Sequence, residues 1–478
     1  MCRSPYRYLH PTPGRGPPTR RTAPAAPGAG APRTDRWSTE SAEAGDDVHR
    51  GCLLGVRLDR SPDDVTAALE GEVTCDVAVV GGGYAGMAAA LRLAERGADV
   101  VLLEAGFCGG GASSRNAGQL GSVPGGDPQL LSALHPRRFP GLVRLAEEAV
   151  GFTERLIDRH GIDCDYERTG NVAAAVSPGQ LRTARKKAEM FRKAGVNVEF
   201  GDGRDLGLPD AFLGGMLEPV GGVMDPGKFA LGLRRALLAS AVKVYERTPV
   251  QAVEPTGAGV TVAAPRGHVR AEKAVLATNA YSRDLAIAPK RLAAPVWVSM
   301  IETEPVPPDR LAATGWTSRS GLATQHAIME SYRPTRRDTI VTGVRRLQAA
   351  RGAVRTRRPD PAVVSDITDG FRSRFPALRD IAIRRAWGGW IAMTPSWLPV
   401  AGDVTRNVSY LIACNGHGLA QAPYLGTLLA DRLVDGKGHD DLDTVWRRRP
   451  RFAPALVFNA PVMRTLWAYD RRADRKTG

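Results

Sequence analysis

The chain has 478 residues, a formal net charge of +15 and 43% hydrophobic residues. The length predicts two domains, and no run of 18 apolar residues suggests a transmembrane helix. The excess charge lies mostly at the ends, with +4 over residues 1–60 and +7 over residues 446–478, which leaves +4 for everything between them. Nucleic acid is therefore not an expected partner.

Cysteine usage and the N-terminal composition predict a cytoplasmic protein. The six cysteines form no C-x-x-C pair, so neither a disulfide framework nor a zinc site is expected. Arg20 and Arg21 are not followed by an apolar segment, so a twin-arginine or secretory signal is not expected. The histidines show no ligand spacing, and we expect no metal.

Order is expected to begin near Ser61. Residues 1–36 contain eight Pro and four Gly and cannot bury a core, so residues 1–60 are predicted to be a disordered tail. A strand at 75–80, a helix at 84–96 and a strand at 99–103 then form a βαβ unit. Further helices are predicted at 139–160, 179–194, 225–238, 361–373 and 419–434, and further strands at 166–176, 196–200, 242–254, 258–264, 274–277, 295–345 (in part) and 408–413.

The turn of this βαβ unit carries a phosphate-binding motif. In "CDVAVVGGGYAG" the glycines at 81, 83 and 86 follow a strand and open a helix. Gly81 allows the tight turn, Gly83 lets the backbone approach a pyrophosphate, and Gly86 lets the helix pack on the strand. Glu104 ends the second strand, where an acid accepts ribose hydroxyls and disfavours NADP. Alternatively, the motif is a structural turn and Glu104 a solvated acid.

The next segment favours FAD over NAD. "AGFCGGGASSRNAGQLGS" is rich in Gly and Ser where an NAD dehydrogenase usually continues into another βα unit. Such a loop suits the longer flavin cofactor, and Arg115 is placed to meet a phosphate or a carboxylate. Alternatively, the segment is a surface loop. Cys108 within it is interpreted as a packing residue.

Five stretches in this order resemble the FAD-dependent D-amino-acid-oxidase-like superfamily, nearest its gamma-glutamylputrescine oxidase branch. They are "EVTCDVAVVGGGYAGMAAALRLAERGADVVLLEA" with "GGGASSRNAGQ", then "AVLATNAYS", "IETEPV", "WGGWIAMTPSWLPVAGD" and "LIACNGHGLAQAPYLGTLLADRL". The resemblance covers residues 67–478. It implies further cofactor-binding residues: Ala105, Gly111, Ala112, Ser113, Arg115, Asn116, Gly118, Gln119, Val250, Asn279, Gly389, Met393, Gly416, His417, Gly418 and Leu419.

The same resemblance places the helix that begins near Leu419 against the flavin ring. The positive end of its dipole would stabilise negative charge there, and His417 would add a hydrogen bond or a charge. Relatives with covalent flavin carry a cysteine at the position of Gly389; this chain has none between 165 and 413, so non-covalent FAD is predicted.

This chain departs from the family pattern at four positions. Ser114 and Ala117 replace two glycines of the flavin loop, Gly110 stands where tryptophan is frequent, and Ser396 replaces a frequent Asp after "MTP". The first two changes would shift the loop near the flavin, and the last removes a polar contact.

No catalytic residue is assigned. Candidates for an aromatic wall of the substrate pocket are Tyr332 and Trp390, which would hold an alkyl-ammonium group by cation–π contact, although both would equally serve as core packing. Arg333, Arg336 and Arg337 are expected to be solvated more often than bound to a substrate carboxylate.

These observations predict an α/β fold with two parts. The first is a Rossmann-like, doubly wound FAD-binding domain made of residues 61–125, 220–285 and 385–440. The second is a β-sheet-rich substrate domain made of residues 126–219 and 286–384, and residues 441–478 form a basic tail.

The predicted activity is oxidation of a C–N bond in a small amine or amino-acid-like substrate to an imine, with O2 as acceptor and H2O2 as product. The alternatives are a dehydrogenase that uses another electron acceptor, a flavin-binding protein without turnover, and an NAD(P) enzyme. The sequence leaves the oligomeric state open.

Overall fold

The computed structural model describes residues 62–289, 292–350, 354, 357–394, 397–412, 414–447 and 460–475. The predicted tail over residues 1–60 and the departure at Ser396 lie outside these ranges. None of the helices within them combines the length and the apolar character needed to cross a bilayer.

The strands and helices follow the predicted order closely. In chain order the strands are β1 Gly71–Val80, β2 Val100–Leu103, β3 Gln119–Gly121, β4 Asn171–Ala175, β5 Glu199–Asp202, β6 Gly214–Glu218, β7 Gly221–Val223, β8 Lys243–Tyr245, β9 Ala252–Pro255, β10 Val260–Ala264, β11 Gly267–Leu276, β12 Ala294–Thr303, β13 Gly321–Thr324, β14 Glu330–Pro334, β15 Ile340–Ala349, β16 Ile383–Met393, β17 Val400–Thr405 and β18 Val408–Ile412. The α-helices are α1 Tyr84–Glu95, α2 Pro128–Leu134, α3 Phe139–Arg159, α4 Pro178–Lys193, α5 Pro226–Leu238, α6 Pro308–Ala312, α7 Pro361–Arg374, α8 Gly418–Asp435, α9 Asp440–Val445 and α10 Ala460–Arg475. Short 3-10 helices cover Ala112–Ser114, Asn279–Asp284 and Pro376–Leu378.

Several helices begin with one sequence pattern, a capping side chain followed by proline. Asp127, Ser177, Asp225 and Asp360 each accept a hydrogen bond from a first-turn N–H, and each precedes a proline. The cap satisfies an N–H that the helix leaves unpaired, and proline has no N–H to lose. These four starts are therefore set by local sequence.

The first sheet carries the predicted βαβ unit. Its strand order is β17-β18-β11-β1-β2-β8, with the β9–β10 hairpin added beside β11. β2, β8, β11 and β18 run parallel to their neighbours along this order, and β17 is antiparallel to β18. Both faces of β1 are covered, because Val77 and Val79 face one core cluster and Ala78 and Val80 face another. The doubly wound α/β prediction is confirmed.

The second sheet has the order β16-β12-β15-β14-β13-β4-β6-β5 and is mostly antiparallel. α7 packs against it through Val363 and Ile367, which meet Ile301 of β12 in one apolar cluster. A short ribbon of β3 and β7 forms a separate two-stranded sheet.

Three segments differ from the predicted division into domains. β16 pairs along its length with β12 in the second sheet, although residues 385–440 were assigned to the FAD domain. Leu145 and Ala149 of α3 lie in the same core cluster as Leu425 of α8, although residues 126–219 were assigned to the substrate domain. The division gave the tail as residues 441–478, but α9 and α10 are helices within it. For the other segments the division remains a prediction.

A buried ion pair joins α5 to the segment after β8. Arg234 Nε and Nη2 donate to Glu246 Oε1 and Oε2 over 2.7 and 2.8 Å. Glu246 also accepts the N–H groups of Cys108 (2.7 Å) and Thr66 (2.8 Å). Burial opposes ionisation, but these hydrogen bonds and Arg234 hold the pKa of Glu246 below its ordinary value. The Glu246 carboxylate thus connects three parts of the chain: the segment before β1 through Thr66, the segment after β2 through Cys108, and α5 through Arg234.

We expect Glu246→Ala to lower the free energy of unfolding by about 3–5 kcal/mol, because it removes the buried carboxylate partner of the Arg234 guanidinium and leaves it the largely exposed Asp64. Urea unfolding followed by tryptophan fluorescence measures the change. Glu254→Ala is the matched control, since Glu254 is exposed on β9; it should change the unfolding free energy by less than about 0.5 kcal/mol. Equal effects of the two substitutions would contradict a structural role for the pair.

Candidate active site

The glycine turn lies where β1 ends and α1 begins. Gly81 has φ +106°, and a Cβ there would lie 2.9 Å from the Ala277 carbonyl oxygen. A Cβ on Gly86 would lie 1.8 Å from the Gly81 carbonyl oxygen, so only glycine lets α1 pack this close to the turn. Gly83 is the N-cap of α1 and offers no capping side chain. The first-turn N–H of Tyr84 donates instead to Ser113 Oγ over 3.1 Å.

Glu104 stands beside this turn, at the end of β2, as predicted. Its Oε2 accepts the Gly82 N–H over 2.7 Å and its Oε1 accepts the Gly106 N–H over 2.8 Å. Burial raises the pKa of the carboxyl, and these two hydrogen bonds partly offset the rise. A carboxylate has about four lone-pair sites, so acceptor capacity remains for ribose hydroxyls. Ala105 is exposed next to it.

Val250 lies nearby, two residues after Thr248. The Thr248 N–H donates to the Glu104 carbonyl oxygen over 2.8 Å. Val250 is half-buried and packs against the core on this side of the sheet. Val250 therefore lies at the same end of β2 as Glu104, and its predicted contact with the cofactor would be made there.

The flavin loop, which we define as residues 105–127, connects this turn with the second sheet. Trp387 Nε1 donates to the Arg115 carbonyl oxygen over 3.1 Å, and Arg115 Nη1 donates to the Gly388 carbonyl oxygen over 3.5 Å. Arg333 Nε donates to the Ala117 carbonyl oxygen over 2.7 Å. Gln119 Nε2 donates to two carbonyl oxygens, those of Leu322 (3.0 Å) and Tyr332 (3.1 Å). The loop thus makes five hydrogen bonds with three strands of the second sheet, β13, β14 and β16.

Within the loop, side chains hold the backbone in shape. Asn116 Nδ2 donates to the Ser113 carbonyl oxygen over 2.8 Å, and its Oδ1 accepts the Gly118 N–H over 2.9 Å. Gly118 has φ +73°, and a Cβ there would lie 2.2 Å from the Met224 carbonyl oxygen. Gly111 leads into the 3-10 helix that begins at Ala112.

The family departures within this loop are accommodated by packing. Ser114 is buried and its Oγ donates to the Gly111 carbonyl oxygen over 3.4 Å. Ala117 packs against Met300 and Trp387 of the second sheet. The extra methyl-sized groups are therefore turned toward protein neighbours.

The start of α8 is the second helix N-terminus of the site. Asn415 has φ +49°, and its Oδ1 accepts the Thr394 N–H over 2.7 Å, which ties the turn to the end of β16. Gly416, with φ +82°, continues the turn. α8 begins at Gly418, with His417 as N-cap and no side-chain cap. The Leu419 side chain is buried in the core, so only its backbone faces this turn.

His417 is held as a neutral imidazole. Its Nδ1 lies 3.1 Å from the Asn415 carbonyl oxygen, which can only accept, so Nδ1 carries the proton. Burial lowers the pKa of His417. Of the two predicted contributions, a hydrogen bond or a charge, this environment favours the hydrogen bond.

β16 contributes two predicted residues. Gly389 faces the flavin loop, since a Cβ there would lie 3.6 Å from Arg115 Cβ and 3.7 Å from Ala112 Cα. The Met393 side chain is buried with Val296, Ile328 and Trp397 on the far side of this strand's end. Only its backbone is therefore placed toward the α8 turn.

The segment after β11 contains the predicted residue Asn279 and a residue that sequence reasoning missed, Tyr281. Asn279, with φ +42°, donates from Nδ2 to Cys414 Sγ over 3.7 Å. Tyr281, in the same 3-10 helix, is 40% exposed. Burial raises the pKa of the Tyr281 phenol, and the positive charge of Arg115 partly offsets the rise. The aromatic in "ATNAYS" was the available signal.

The two candidates for an aromatic pocket wall lie in packed cores. Tyr332 is 1% exposed; its ring packs on Phe212 and Phe375, and its hydroxyl donates to Glu330 over 2.8 Å. Trp390 packs edge to face on Trp297 at 5.4 Å. The packing alternative is therefore favoured for both, because each side chain faces the covered side of its strand.

The three arginines differ in exposure. Arg336 is exposed, and Arg337 bridges Asp225 and Glu302 at 3.3 Å from each. Arg333, expected to be solvated, is 3% exposed, and burial lowers its pKa. It reaches the flavin loop because successive side chains of β14 alternate faces, which turns Arg333 away from Tyr332.

The site therefore combines a diphosphate-sized glycine turn, an acid at the ribose position, and two helix N-termini along one edge of a parallel sheet. A family model described as FAD dependent oxidoreductase matches residues 76–432. The chain belongs to this family. It is an FAD-dependent enzyme of the type that includes amine and amino-acid oxidases, as the resemblance predicted.

Individual relatives agree with this assignment. Gamma-glutamylputrescine oxidoreductase of Escherichia coli strain K12 is 30% identical over 374 residues, which are 76% of this chain and 85% of that protein. Glycine oxidase of Geobacillus kaustophilus strain HTA426 is 29% identical over 219 residues, which are 44% of this chain and 56% of that protein. The crystal structure of a glycine oxidase from Geobacillus kaustophilus shares the fold with a TM-score of 0.65, at 22% identity, covering 77% of this chain and 96% of that one.

The residues present fit FAD. A Cβ on Gly81 or Gly86 would collide with protein backbone, as the tight turn and the close packing of α1 require, and Gly83 at the N-cap has no side chain between the backbone and a diphosphate. Neither α1 nor α8 has a capping side chain on its N-cap residue. Their first-turn N–H groups and dipoles are the groups that bind anions in such folds.

We expect Gly86→Ala to weaken FAD binding roughly tenfold or more. The added Cβ must displace the turn at Gly81, and a loss of about 1.4 kcal/mol in binding free energy is a factor of ten in affinity. FAD titration of the apoprotein, followed by quenching of flavin fluorescence, measures it. Gly257→Ala is the matched control, because a Cβ there meets nothing within 4 Å and its φ is not positive.

Glu104→Gln provides a second test that keeps the shape of the side chain. It removes the charge that strengthens acceptance of ribose hydroxyls, and its amide nitrogen cannot accept one of the Gly82 and Gly106 N–H groups. We therefore expect several-fold weaker FAD binding and a loss of about 1 kcal/mol in the unfolding free energy of the apoprotein. Wild-type FAD affinity in both variants would contradict the assigned cradle.

Proposed function

We propose that the protein oxidises the C–N bond of a small amine or amino-acid-like substrate, with O2 as acceptor and H2O2 as product. The observation that carries the proposal is the pairing of α1 and α8. Each begins after a strand of one sheet, β1 or β18, and the two pack so closely that a Cβ on Gly426 would lie 2.4 Å from the Ala85 carbonyl oxygen. Because β1 and β18 both run parallel to β11, the two positive helix ends lie at the same edge of this sheet.

The reaction balances as follows. The substrate loses two electrons and two protons, from its C–H and N–H bonds, and becomes an imine, which water hydrolyses to a carbonyl compound and an amine or ammonia. O2 takes up the two electrons and two protons as H2O2. FAD, when bound, supplies the two-electron acceptor that connects the two halves.

The residues of this chain bind, orient and exclude water. Gly81, Gly83 and Gly86 with the α1 N–H groups would hold the diphosphate, and Glu104 the ribose. The N-terminus of α8 would face negative charge near the ring system. His417 holds its proton at Nδ1, which leaves Nε2 as an acceptor for a donor group of the cofactor or the substrate.

The proposed attachment of FAD is non-covalent. The position of Gly389 offers no thiol. Cys414, at the α8 turn, has a pKa raised by burial, so it stays protonated and is a poor nucleophile. Cys108 has a pKa raised well above its ordinary value, by burial first and then by Glu104 and Glu246, and its side chain is packed in the core.

The likeness to gamma-glutamylputrescine oxidoreductase supports an amine as substrate. We propose the cytoplasm as the location, supported by the sparse cysteines.

We expect the holoprotein to release H2O2 in air with at least one member of a panel of polyamines, gamma-glutamyl amines, N-methyl amino acids and D-amino acids. A peroxidase-coupled dye assay measures the release, and the same compound should bleach the bound flavin anaerobically. One H2O2 should form for each O2 consumed.

The control is the quaternary ammonium analogue of the active amine, which has no lone pair on nitrogen and cannot form an imine. Anaerobic bleaching without H2O2 on admitting air would replace the oxidase with a dehydrogenase that uses another acceptor. Bound FAD that no amine bleaches would contradict amine oxidation altogether.

A further inference from the structure

The last part of the flavin loop, residues 121–127, lies against the start of α8. A Cβ on Gly125 would lie 2.5 Å from His417 Nδ1, and one on Gly126, which has φ +89°, would lie 2.8 Å from Trp397 Cβ. Two consecutive glycines therefore let the backbone touch the imidazole and the indole directly. Any displacement of this segment would change what surrounds His417.

Both ends of the segment are fastened by carboxylates. At its far end Asp127 caps α2 by accepting the Leu130 N–H over 3.0 Å, and it lies 3.3 Å from Lys187 Nζ. At its near end Glu218, the last residue of β6, accepts the Ser122 N–H on Oε2 over 2.9 Å. A Cβ on Gly121 would lie 3.1 Å from the same oxygen, so the carboxylate is pressed against the backbone.

Glu218 is an unusual anchor because its hydrogen-bond donors are backbone groups of the loop. It is 7% exposed, and none of the ion pairs seen in the described ranges includes it. Its strand neighbour across the sheet, Asn171 on β4, is uncharged.

The Glu218 carboxyl therefore titrates near neutrality. Burial raises its pKa from 4.5 to about 7, and hydrogen bonds from Ser122 and Val123 partly offset the rise. No charged side chain of β3, β4, β5 or the loop contributes to the shift within the described part of the chain. The ionised form accepts stronger hydrogen bonds from N–H groups than the protonated form does.

We propose that Glu218 is a positioning residue that holds residues 121–127 against His417 and so fixes the imidazole at the start of α8. The role in catalysis rests on the proposed function, whereas the anchoring itself is a property of the fold. Although the ionised carboxyl accepts the stronger hydrogen bonds, opening of the loop returns it to water, so ionisation loosens the anchor and protonation tightens it.

The sign of the accompanying stability change follows from the raised pKa. Between pH 4.5 and about 7 the folded protein keeps a proton that the unfolded chain releases. Stability therefore falls as pH rises through this window and is level with respect to Glu218 above it. Loop anchoring and global stability respond to Glu218 in the same direction, so the exchange of the loop amides is the measurement that separates the proposal from a merely structural role.

The test is hydrogen exchange of the backbone amides of residues 122–126 in the FAD-bound protein, by mass spectrometry, one pH unit below and one above the Glu218 midpoint. Rates are corrected for intrinsic exchange. We expect protection of the wild-type loop to be about fivefold lower at the upper pH, because ionisation favours the open loop, in which water solvates the carboxylate.

Glu218→Gln stays neutral, so its loop protection should be equal at both pH values and close to that of the wild type at the lower pH. Glu218→Ala should lower protection at both pH values, and Glu199→Gln, on the exposed face of neighbouring β5, should behave as wild type. The Gln variant should also lose the fall in unfolding free energy between the two pH values. Equal loop protection in wild type and Glu218→Gln at the upper pH would overturn the proposal.

The result is independent of finding a substrate. If an amine is oxidised, the pH profile of kcat should show a limb near the Glu218 midpoint that Glu218→Gln removes; a limb that persists in the variant would also overturn the catalytic part. If no amine is oxidised while the exchange results hold, amine oxidation fails and the anchor stands.

Discussion

The structure depends on one continuous segment, the flavin loop of residues 105–127, which both sheets share. Its first residues hydrogen-bond to the end of β2 and the Glu246 carboxylate, and its middle is bonded to β14 and β16 through Ala117 and Arg115. Most of these bonds use backbone carbonyl or N–H groups of the loop. The nucleotide turn and the substrate-side sheet therefore cannot move independently, because the same few peptides form the edge of each.

Charges at this junction are buried and paired in a network. Arg337 reaches both Asp225, which caps α5, and Glu302 of β12, while Thr339 donates to Glu302 over 2.7 Å. Arg385 of β16 lies 3.1 Å from the same carboxylate. Buried ion pairs contribute little net stability, but an incomplete network leaves a desolvated charge. Such a network therefore penalises any other arrangement of α5 relative to the second sheet.

The sequence predicted well those features that local backbone chemistry determines. The turn at Gly81 and Gly86 was predictable because no side chain fits there, and the start of α8 because Gly416 and Gly418 bracket a helix N-terminus. Orientation within the second sheet was not predictable. Both faces of β14 and β16 are covered, so apolar alternation does not reveal which side chains turn toward the loop.

Tyr332 and Trp390 are candidates for pocket walls only because they are aromatic. The strands that carry them direct both side chains into hydrophobic cores. Arg333 is expected from its residue type to be solvated, but the alternation of side chains along β14 buries it against Ala117. The only sequence signal for Glu218 was an isolated acid among small residues in "GGMLEPVGGV". The role of Glu218 depends on Ser122, which is nearly a hundred residues away in the sequence and is brought within hydrogen-bonding distance only by the fold.

The charges that would meet the cofactor come from backbone more than from side chains. Arg115, the cation of the flavin loop, donates to the carbonyl oxygens of Gly110 and Gly388 and is committed to holding the loop. The diphosphate would then be met mainly by the α1 N–H groups and helix dipole, which cannot turn away as a lysine can. Affinity for FAD is consequently a matter of how closely β1 and α1 approach, and that approach is set by Gly81 and Gly86.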